Sequence, residues 1–262
     1  MSDDGTAPTT DAQRNMLDKA LDLLAAVSAD SGGRQAAELA SDTDIPLSTA
    51  YRLLSALSHR GYTEFDKRTR RYTLGLETFV LAQAVAQSRG LTGVARPVLE
   101  DLAATTGEAT LMAVRRGSHQ LYIHYVRGPH SVSVMGSPGT LGPLHCAAQG
   151  KVLVAMEDEK TRNELVDTLE LTALTARSIT DRDAFRREIT AVHEQGWAVA
   201  DEEHEAGIRA IAVPIMGSSH HAARAAISIA APAFRATVST LHGWLPEIQD
   251  AARRISLLMP LE

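Results

Sequence analysis

Several residue types that mark common sites and folds are scarce in this sequence. It has one cysteine, Cys146, so no disulfide can form within the chain, as is typical of a reducing cytoplasm. It has no run of about 18 apolar residues, which argues against a membrane-spanning helix. Residues 1–13 are polar and lack the basic start and apolar core of a secretory signal. These absences predict a cytoplasmic protein without a membrane span, and a disordered leader over residues 1–13.

The bulk composition is that of a globular chain without an overall basic charge. Its 262 residues are 44% hydrophobic, enough for about two domains with at least one full core. The net charge of -6 argues weakly against DNA as a partner, because DNA-binding proteins often carry a basic surface. Residues 46–75 depart from this average, since basic residues clearly outnumber acidic ones there. A positive segment in an acidic protein is compatible with specific DNA binding and predicts modest non-specific affinity.

Residues 46–60 are the segment most informative about function. Plotted at about 100° per residue, they give a helix with two distinct faces. The packing face contains Ala50, Leu53, Leu54 and Leu57. The opposite face, which has no carboxylate, contains Ser48, Arg52, Ser55 and His59. Such a face suits the major groove of DNA, where arginine pairs with guanine and hydroxyls reach bases or phosphates. The alternative is an ordinary amphipathic surface helix.

The segments around this helix favour the DNA-binding interpretation. A helix over Arg14–Ser28 is ended by the glycines of Ser31–Gly33, and a shorter helix follows over Gln35–Ser41. Residues 62–74 alternate as a β-hairpin with a turn around Asp66–Thr69. The basic residues of the hairpin are Lys67, Arg68, Arg70 and Arg71. Three helices and a basic hairpin predict a winged helix-turn-helix, whose wing contacts phosphates or the minor groove. A plain surface turn is the alternative.

The rest of the chain mixes short strands with helices. A helix over residues 75–89 is a candidate linker and dimer contact. Short β-rich runs begin at Ala109 and include SVSVMGS at residues 131–137. A helix over residues 182–196 is predicted to be closed by Gly196, and a final helix is predicted from Ala236 to Leu258. This mixture, with a long antiparallel stretch, predicts an α+β domain instead of a doubly wound sheet.

Three further patterns invite a chemical interpretation, and each has a plainer one. His145 beside Cys146 could supply a base and a thiolate, but adjacent side chains of a strand point to opposite faces. The acidic run Asp201–Glu205 and the pair His220–His221 match no established metal-ligand spacing, and a solvated acidic turn explains the run. Gly150–Lys151 lacks the other residues of a phosphate-binding loop, so this lysine is expected to be structural or exposed. We therefore expect no enzyme activity, no metal and no cofactor.

The order of several longer motifs resembles the IclR family of bacterial transcriptional regulators. The first part of the chain contains LDKALDLL, AAELASDTDIPLSTAYRLLSALSHRGY and RYTLGLETFVLA. The later part contains PLHCAAQGKVLVA, GWAVADEEHEAGIRAIAVPI and AISIAAP. The resemblance implies a winged helix-turn-helix over residues 14–75, a linker helix over 76–90 and a GAF-like effector-binding domain over 91–262, with an antiparallel sheet flanked by helices. It also implies homodimers, or dimers of dimers, that bind double-stranded operator DNA and respond to a small-molecule effector.

The chain departs from the family pattern in the turn before the recognition helix and in the effector pocket. The turn has Asp44–Ile45 where the family commonly has Gly-Leu, so Asp44 must adopt any left-handed conformation that the turn needs. In family members that bind small oxo-acids, the acid meets backbone N–H groups of a helix. The positions of this chain that match such pockets are His145, Ala148, Gln149, Ala200, Ala210, Ser228 and Ala230.

Alanine replaces polar groups at several of these positions. Ala230 stands where a second serine often occurs, and Ala200 and Ala210 match an acid and a cysteine. Methyl groups in place of hydrogen-bonding groups favour a ligand with more apolar surface. We therefore expect an aromatic or otherwise bulky organic acid or amide as the effector, in preference to glyoxylate-like molecules.

These observations together predict a metabolite-responsive, DNA-binding transcriptional regulator. The helix residues expected to face DNA are Ser48, Thr49, Tyr51, Arg52, Ser55 and His59. Arg52 is the leading base reader, and the basic residues of the hairpin are expected to contact phosphates or the minor groove. Repression of a catabolic operon is preferred over activation. The alternative, a GAF-like small-molecule-binding protein or an enzyme without DNA activity, does not explain the first 75 residues.

Overall fold

The computed structural model describes residues 15–30, 32–88, 93, 95–216 and 223–258. The chain divides into two compact units, Met1–Ser88 and Arg89–Glu262. The predicted disordered leader over residues 1–13 and the pair His220–His221 lie outside the described residues. No helix in the described part of the chain is long and apolar enough to cross a membrane.

The first unit contains helices followed by a small antiparallel sheet. Its elements in chain order are α1 (Met16–Ser28), β1 (Arg34–Gln35), α2 (Ala36–Asp42), α3 (Leu47–His59), β2 (Thr63–Asp66), β3 (Arg71–Leu74) and α4 (Leu76–Ser88). The sheet has the order β1-β3-β2, so the predicted hairpin gains a short third strand that the sequence analysis missed. This arrangement confirms the predicted winged helix-turn-helix.

Helix α1 begins at a capping box and buries only some of its apolar residues. The Asn15 side chain accepts hydrogen bonds from the backbone N–H groups of Leu17 and Asp18, and the Asp18 carboxylate accepts from the Asn15 N–H. Leu23 and Val27 are buried, whereas Leu17 and Leu21 are mostly exposed. The periodicity located the helix, but the apolar residues of its first turns remain on the surface.

The turn between α2 and α3 uses a left-handed residue without glycine. Asp44 has φ of 52°, as the departure from the family's Gly-Leu required. Ile45 then donates its backbone N–H to the Ala40 carbonyl at 3.0 Å and buries its side chain. Pro46 is the N-cap residue of α3, one position earlier than the first helical turn. The helix pair is thus formed by a tight turn in which Asp44 carries the conformational strain.

The second unit is an α+β layer structure, as predicted. Its elements are α5 (Ala95–Thr106), β4 (Ala109–Arg116), β5 (His119–Val126), β6 (Leu141–Pro143), α6 (Ala148–Ala155), α7 (Glu159–Thr168), α8 (Arg182–Gln195), β7 (Ala198–Asp201), β8 (Ile208–Met216), β9 (Ala223–Pro232), α9 (Val238–Gly243) and α10 (Leu245–Leu258). One antiparallel sheet has the order β6-β5-β4-β9-β8-β7. Helices pack on both of its faces.

Two expectations for the second unit are wrong in detail. The run SVSVMGS at residues 131–137 is part of a loop between β5 and β6, not a strand. The predicted final helix is divided into α9 and α10, which meet at Trp244, the C-cap residue of α9. Gly196 ends α8 in the left-handed conformation with φ of 78°, so that predicted boundary is confirmed.

The two faces of the large sheet carry side chains of different size. One face packs against α5, α9 and α10 with large residues such as Ile211, Ile227 and Ile229. The other face carries alanine along the same strands: Ala109, Ala113, Ala198, Ala200, Ala210, Ala212, Ala226 and Ala230. Alanine is unfavourable in strands, where branched side chains normally cover the surface. The short methyl groups leave space above the sheet, which α6, α7 and α8 fill only in part.

Candidate DNA-binding surface and ligand cavity

The predicted DNA-facing residues of α3 lie on one exposed surface. Ser48, Arg52, Ser55 and His59 are all exposed, while Ala50 and Leu54 on the opposite face are fully buried. Tyr51 is also exposed and Thr49 is half-buried, so both lie at the edges of the surface as expected. The Arg52 guanidinium has Met16 Sδ as a neighbour at 3.7 Å, a weak contact that leaves its donors available. The helix therefore presents donors and no carboxylate.

The wing tip is a compact turn whose basic side chains differ in availability. The Asp66 carboxylate accepts hydrogen bonds from the Arg68 N–H at 2.8 Å and the Thr69 hydroxyl at 2.7 Å, which lowers the pKa of Asp66. Lys67, Arg68 and Arg70 are exposed, and Arg70 holds a left-handed φ of 57°. The turn is thus set by local hydrogen bonds, and it points three cations outward.

Arg71 is placed differently from the other wing cations. Its side chain is half-buried, and its Nη1 donates to the carbonyl of Gly33 at 2.5 Å. This bond ties β3 to the residue before β1. That Arg71 contacts phosphate stays a prediction, and one of its guanidinium donors is already bound within the first unit.

A cavity of about 290 Å³ lies in the second unit between the alanine face of the sheet, the start of α6 and the loop after β5. Predicted effector residues that line it are Ala148, Gln149, Ala200, Ala210, Ser228 and Ala230. These residues come from four elements that are far apart in the sequence. Their convergence follows from the strand pairing, in which Ala210 stands opposite both Ala200 and Ala230.

His145 is the predicted effector residue that the structure does not place in this cavity. Its Nε2 lies 2.9 Å from the carbonyl oxygen of Thr172, and its ring lines a neighbouring cavity of about 320 Å³. Burial lowers the pKa of His145, which favours the neutral ring. His145 therefore belongs to the motif that matches the effector pocket, but its side chain lines the neighbouring cavity.

The start of α6 offers backbone donors to the cavity. Its N-cap residue, Ala147, has no side chain that could accept from the first N–H groups of the helix. Ala148 and Gln149, which supply two of these groups, both line the cavity. At Gly150, a Cβ atom would lie 2.4 Å from the Leu144 carbonyl oxygen, so only glycine allows the preceding segment to pack this closely. An uncapped helix N-terminus of this kind favours an anionic group.

Several lining residues were missed by the sequence analysis, among them Leu111, Tyr122, Met135, His204 and Glu205. The Tyr122 hydroxyl accepts a hydrogen bond from Gln120 Nε2 at 2.9 Å. Burial raises the pKa of Tyr122 to about 12, so the phenol keeps its proton and remains a donor. An available signal was the alternation of alanine and isoleucine in GIRAIAVPI and AISIAAP, which marks one small-residue face on each strand.

The acidic run at residues 201–205 is the solvated turn that the sequence suggested only in part, because His204 and Glu205 are exposed whereas Glu203 is buried. Asp201 and Glu202 both pair with the Arg209 guanidinium. Glu203 is buried and accepts from Lys151 Nζ at 2.7 Å. His204 and Glu205 follow at the cavity. Asp201, Glu202 and Glu203 are therefore held by specific partners, and His204 and Glu205 are the exposed members of the run.

Lys151 is among the most deeply buried residues of the second unit, with 1% of its surface exposed. Its ammonium donates to Glu188 Oε1 at 2.9 Å, to Glu203 Oε1 at 2.7 Å and to the Val199 carbonyl at 3.0 Å. Burial raises the pKa of Glu203, and the adjacent Lys151 ammonium opposes this effect. Lys151 thus joins α6 to α8, β7 and the turn that follows β7. Of the two roles considered for this lysine, structural or exposed, the structure selects the first.

Cys146 does not have the environment of a nucleophile. The thiol is buried, and burial, with Glu203 nearby, raises its pKa to about 12. A reactive cysteine needs the opposite shift, because the thiolate is the nucleophile. The described residues also contain no group of three or more His, Cys, Asp or Glu side chains that could hold a metal ion.

Comparison with known proteins identifies both parts of the chain. The domain described as "IclR helix-turn-helix domain" matches residues 16–67, and "Bacterial transcriptional regulator IclR C-terminal" matches residues 83–257. The HTH-type transcriptional regulator BhcR of Paracoccus denitrificans (strain Pd 1222) is 30% identical, over 93% of this chain and 86% of its own. The transcriptional repressor IclR of Escherichia coli (strain K12) is 28% identical, over 96% of this chain and 92% of its own.

A solved structure shows the same architecture. The putative transcriptional regulator RHA06195 from Rhodococcus sp. RHA1 superposes with a TM-score of 0.80 at 28% identity, covering 93% of this chain and 97% of that one. Relatives of this kind are DNA-binding regulators, so the alternative of an enzyme or a binding protein without DNA activity is set aside. The chain belongs to the IclR family, as a DNA-binding transcriptional regulator and not an enzyme.

Proposed function

We propose that this regulator is a repressor of a catabolic operon whose effector is an aromatic or otherwise bulky organic acid or amide. The observation that carries the proposal is the cavity of about 290 Å³ with an alanine floor and an uncapped helix start. Its volume lies near the lower end of the range of small-molecule sites, roughly 300 Å³ and above, which suits a ligand of about one ring.

The residues that line the cavity suit both the apolar body and the polar group of such a ligand. Ala200, Ala210 and Ala230 offer methyl groups, and Leu111 and Met135 add larger apolar surface. A bulky apolar body is favoured over a two- or three-carbon oxo-acid, because the small acid would leave much of this surface in contact with water. The backbone N–H groups of Ala148 and Gln149 are available for a carboxylate or an amide oxygen.

Helix α4 supports the proposal that the working form is a homodimer or a dimer of dimers. Leu76, Phe79, Val80 and Leu81 are each more than half exposed, which is unusual for four large apolar residues within six positions. A second copy of the chain would cover them and would place two recognition helices on a roughly palindromic operator. In this proposal residues 14–75 contact DNA, residues 76–90 form the connection, residues 91–262 bind the effector, and the protein acts in the cytoplasm.

Effector binding can change DNA affinity only if the effector has different affinities for the DNA-competent and DNA-incompetent arrangements. A repressor that is released by its effector binds it more tightly in the incompetent arrangement. The relative named a transcriptional repressor supports repression as the direction of control.

A gel-shift titration with the DNA upstream of its own gene tests the proposal. We expect binding without ligand, and release by benzoate or a substituted benzoate but not by glyoxylate or pyruvate. The variant Ala230→Leu should fill the cavity and remove the response while DNA binding remains. Ala191→Leu, on the exposed face of α8, is the matched control. Release only by glyoxylate or pyruvate would contradict the proposed effector class.

A further inference from the structure

The turn after β7 contributes two polar side chains to the cavity that the family's DNA-binding function does not explain. His204 and Glu205 both line the cavity, one residue beyond the Lys151–Glu203 ion pair. Within the described part of the chain, no hydrogen bond or ion pair engages the His204 ring or the Glu205 carboxylate. They are therefore available to a molecule in the cavity.

This turn is held in one conformation by several bonds. Glu202 has a left-handed φ of 61°, and its carboxylate accepts from the Gly207 N–H at 3.0 Å. The Thr175 hydroxyl donates to the Glu202 carbonyl at 2.8 Å, and the Ser178 hydroxyl donates to the Glu203 carbonyl at 2.7 Å. These bonds fix the backbone of Glu202 and Glu203, from which the chain continues directly to His204 and Glu205. Such preorganisation is what selective recognition of a ligand requires.

Two sets of polar groups in the cavity have opposite character, beside the neutral side chains of Ser137, Thr140, Gln149 and Ser228. The first set donates hydrogen bonds: the N–H groups at the start of α6 and the protonated Tyr122 hydroxyl. The second set contains the negative carboxylate of Glu205, with the His204 ring beside it. A negative group is therefore stabilised at one part of the lining and repelled at the other.

We propose that His204 and Glu205 select the effector by its second substituent. In this assignment the anionic group of the effector meets the start of α6, and a hydroxyl or amino group on its apolar body donates to Glu205 or His204. Glu205 is exposed at the edge of the cavity, and a second carboxylate is disfavoured there because it would face a like charge. The inference rests on the proposed function, since it requires the effector to occupy this cavity.

Isothermal titration of the full-length protein with a matched series of benzoates tests this assignment. The probes are benzoate, its meta- and para-amino derivatives, and the two dicarboxylates isophthalate and terephthalate. The variants are Glu205→Gln, which removes the charge at constant size, and Glu205→Asp, which keeps it. Glu194→Gln, an exposed residue at the end of α8, is the control. Unchanged thermal unfolding of the variants shows that the fold is retained.

We expect wild type to bind the better amino derivative about tenfold more tightly than the corresponding dicarboxylate, as expected for one like-charge contact near the protein surface. Glu205→Gln should reduce this ratio to near one, while Glu205→Asp and Glu194→Gln preserve it. His204→Gln should weaken the binding of the amino derivatives and leave the affinity for benzoate unchanged.

Two different failures can be distinguished. If the amino derivatives bind but the ratio is the same within about twofold in wild type and Glu205→Gln, the selective role of Glu205 is overturned and the proposed function stands. If no benzoate binds wild type, or if binding persists in the cavity-filling variant Ala230→Leu, the proposed effector site itself is contradicted, and this inference falls with it.

Discussion

The outer face of α3 and the cavity of the second unit are both candidate binding sites, yet they arise in different ways. The face of α3 comes from 13 consecutive residues whose positions follow from helical periodicity. The cavity joins β4, β5, β7, β8, β9 and α6 with the loop after β5, over more than 100 positions of the chain. A local pattern therefore determines the first site, and long-range strand pairing determines the second.

This difference has a consequence for mutation. Each exposed side chain of α3 can be changed with little effect on folding, so its loss should be visible mainly in DNA binding. The cavity depends on a buried ion pair that also holds the second unit together, so stability and effector binding should change together there. The predictions below test this contrast, from the largest expected effect to the smallest.

Replacing the buried cation of the second unit should have the largest effect. Lys151→Met leaves Glu203 and Glu188 without their partner, and breaking a buried pair in this way destabilises a protein by about 3–5 kcal/mol. Urea unfolding followed by tryptophan fluorescence measures this unit alone, since the two tryptophans, Trp197 and Trp244, both lie in it. The exposed Lys160→Met on α7 is the control. If the free energy of unfolding falls by less than about 1 kcal/mol, the buried pair contributes no more than an ordinary surface ion pair.

Replacing the leading base reader of α3 should change specificity without a loss of stability. Arg52→Ala should reduce affinity for the operator by about 1–3 kcal/mol and relax the preference at one base-pair position. Fluorescence anisotropy against operators varied one base pair at a time measures both effects. Arg187→Ala, on the exposed surface of α8, is the control. Equal weakening on every sequence would show that Arg52 contacts phosphate instead.

A cation of the wing should have a smaller effect that does not depend on sequence. Arg68→Ala should lower affinity for all DNA and reduce the slope of log affinity against log salt by about one. Arg71→Ala should leave the slope nearly unchanged, because its guanidinium binds the Gly33 carbonyl. DNA affinities measured at several salt concentrations give the slope for each variant. A slope change for Arg71→Ala equal to that for Arg68→Ala would restore Arg71 as a phosphate contact.

The turn before α3 should show the smallest effect. Asp44→Gly removes the Cβ that strains the left-handed conformation, and should stabilise the first unit by at most about 1 kcal/mol. Asp44→Ala keeps the Cβ and is the comparison variant, which we expect to be no more stable than wild type. Hydrogen exchange of the α2 and α3 amides reports the difference. A less stable Asp44→Gly would show that the aspartate side chain itself supports the turn.

Local features of this protein could be predicted from its sequence more fully than contacts between residues that are far apart in the chain. Helix α3, its exposed face and the basic turn of the wing were predicted from periodicity and turn residues, and the family resemblance indicated the α6 start and the strands of the cavity. The third strand of the wing sheet was missed because Arg34–Gln35 is too short for a periodic signal. The bond from Arg71 to Gly33 could not be predicted, because it joins residues 38 positions apart.

The sequence by itself determined the local features of this protein: which residues share a helix face, where Gly196 ends α8, and that the strands of the second unit alternate small and large side chains. The tertiary structure alone decided which groups meet. It buried Lys151 between Glu188 and Glu203, turned His145 away from the cavity, and placed His204 and Glu205 in its lining. The physical reason is that the periodicity of a helix or strand determines on which face of that element a side chain lies. Burial and pairing depend instead on other helices and strands, which only folding brings together.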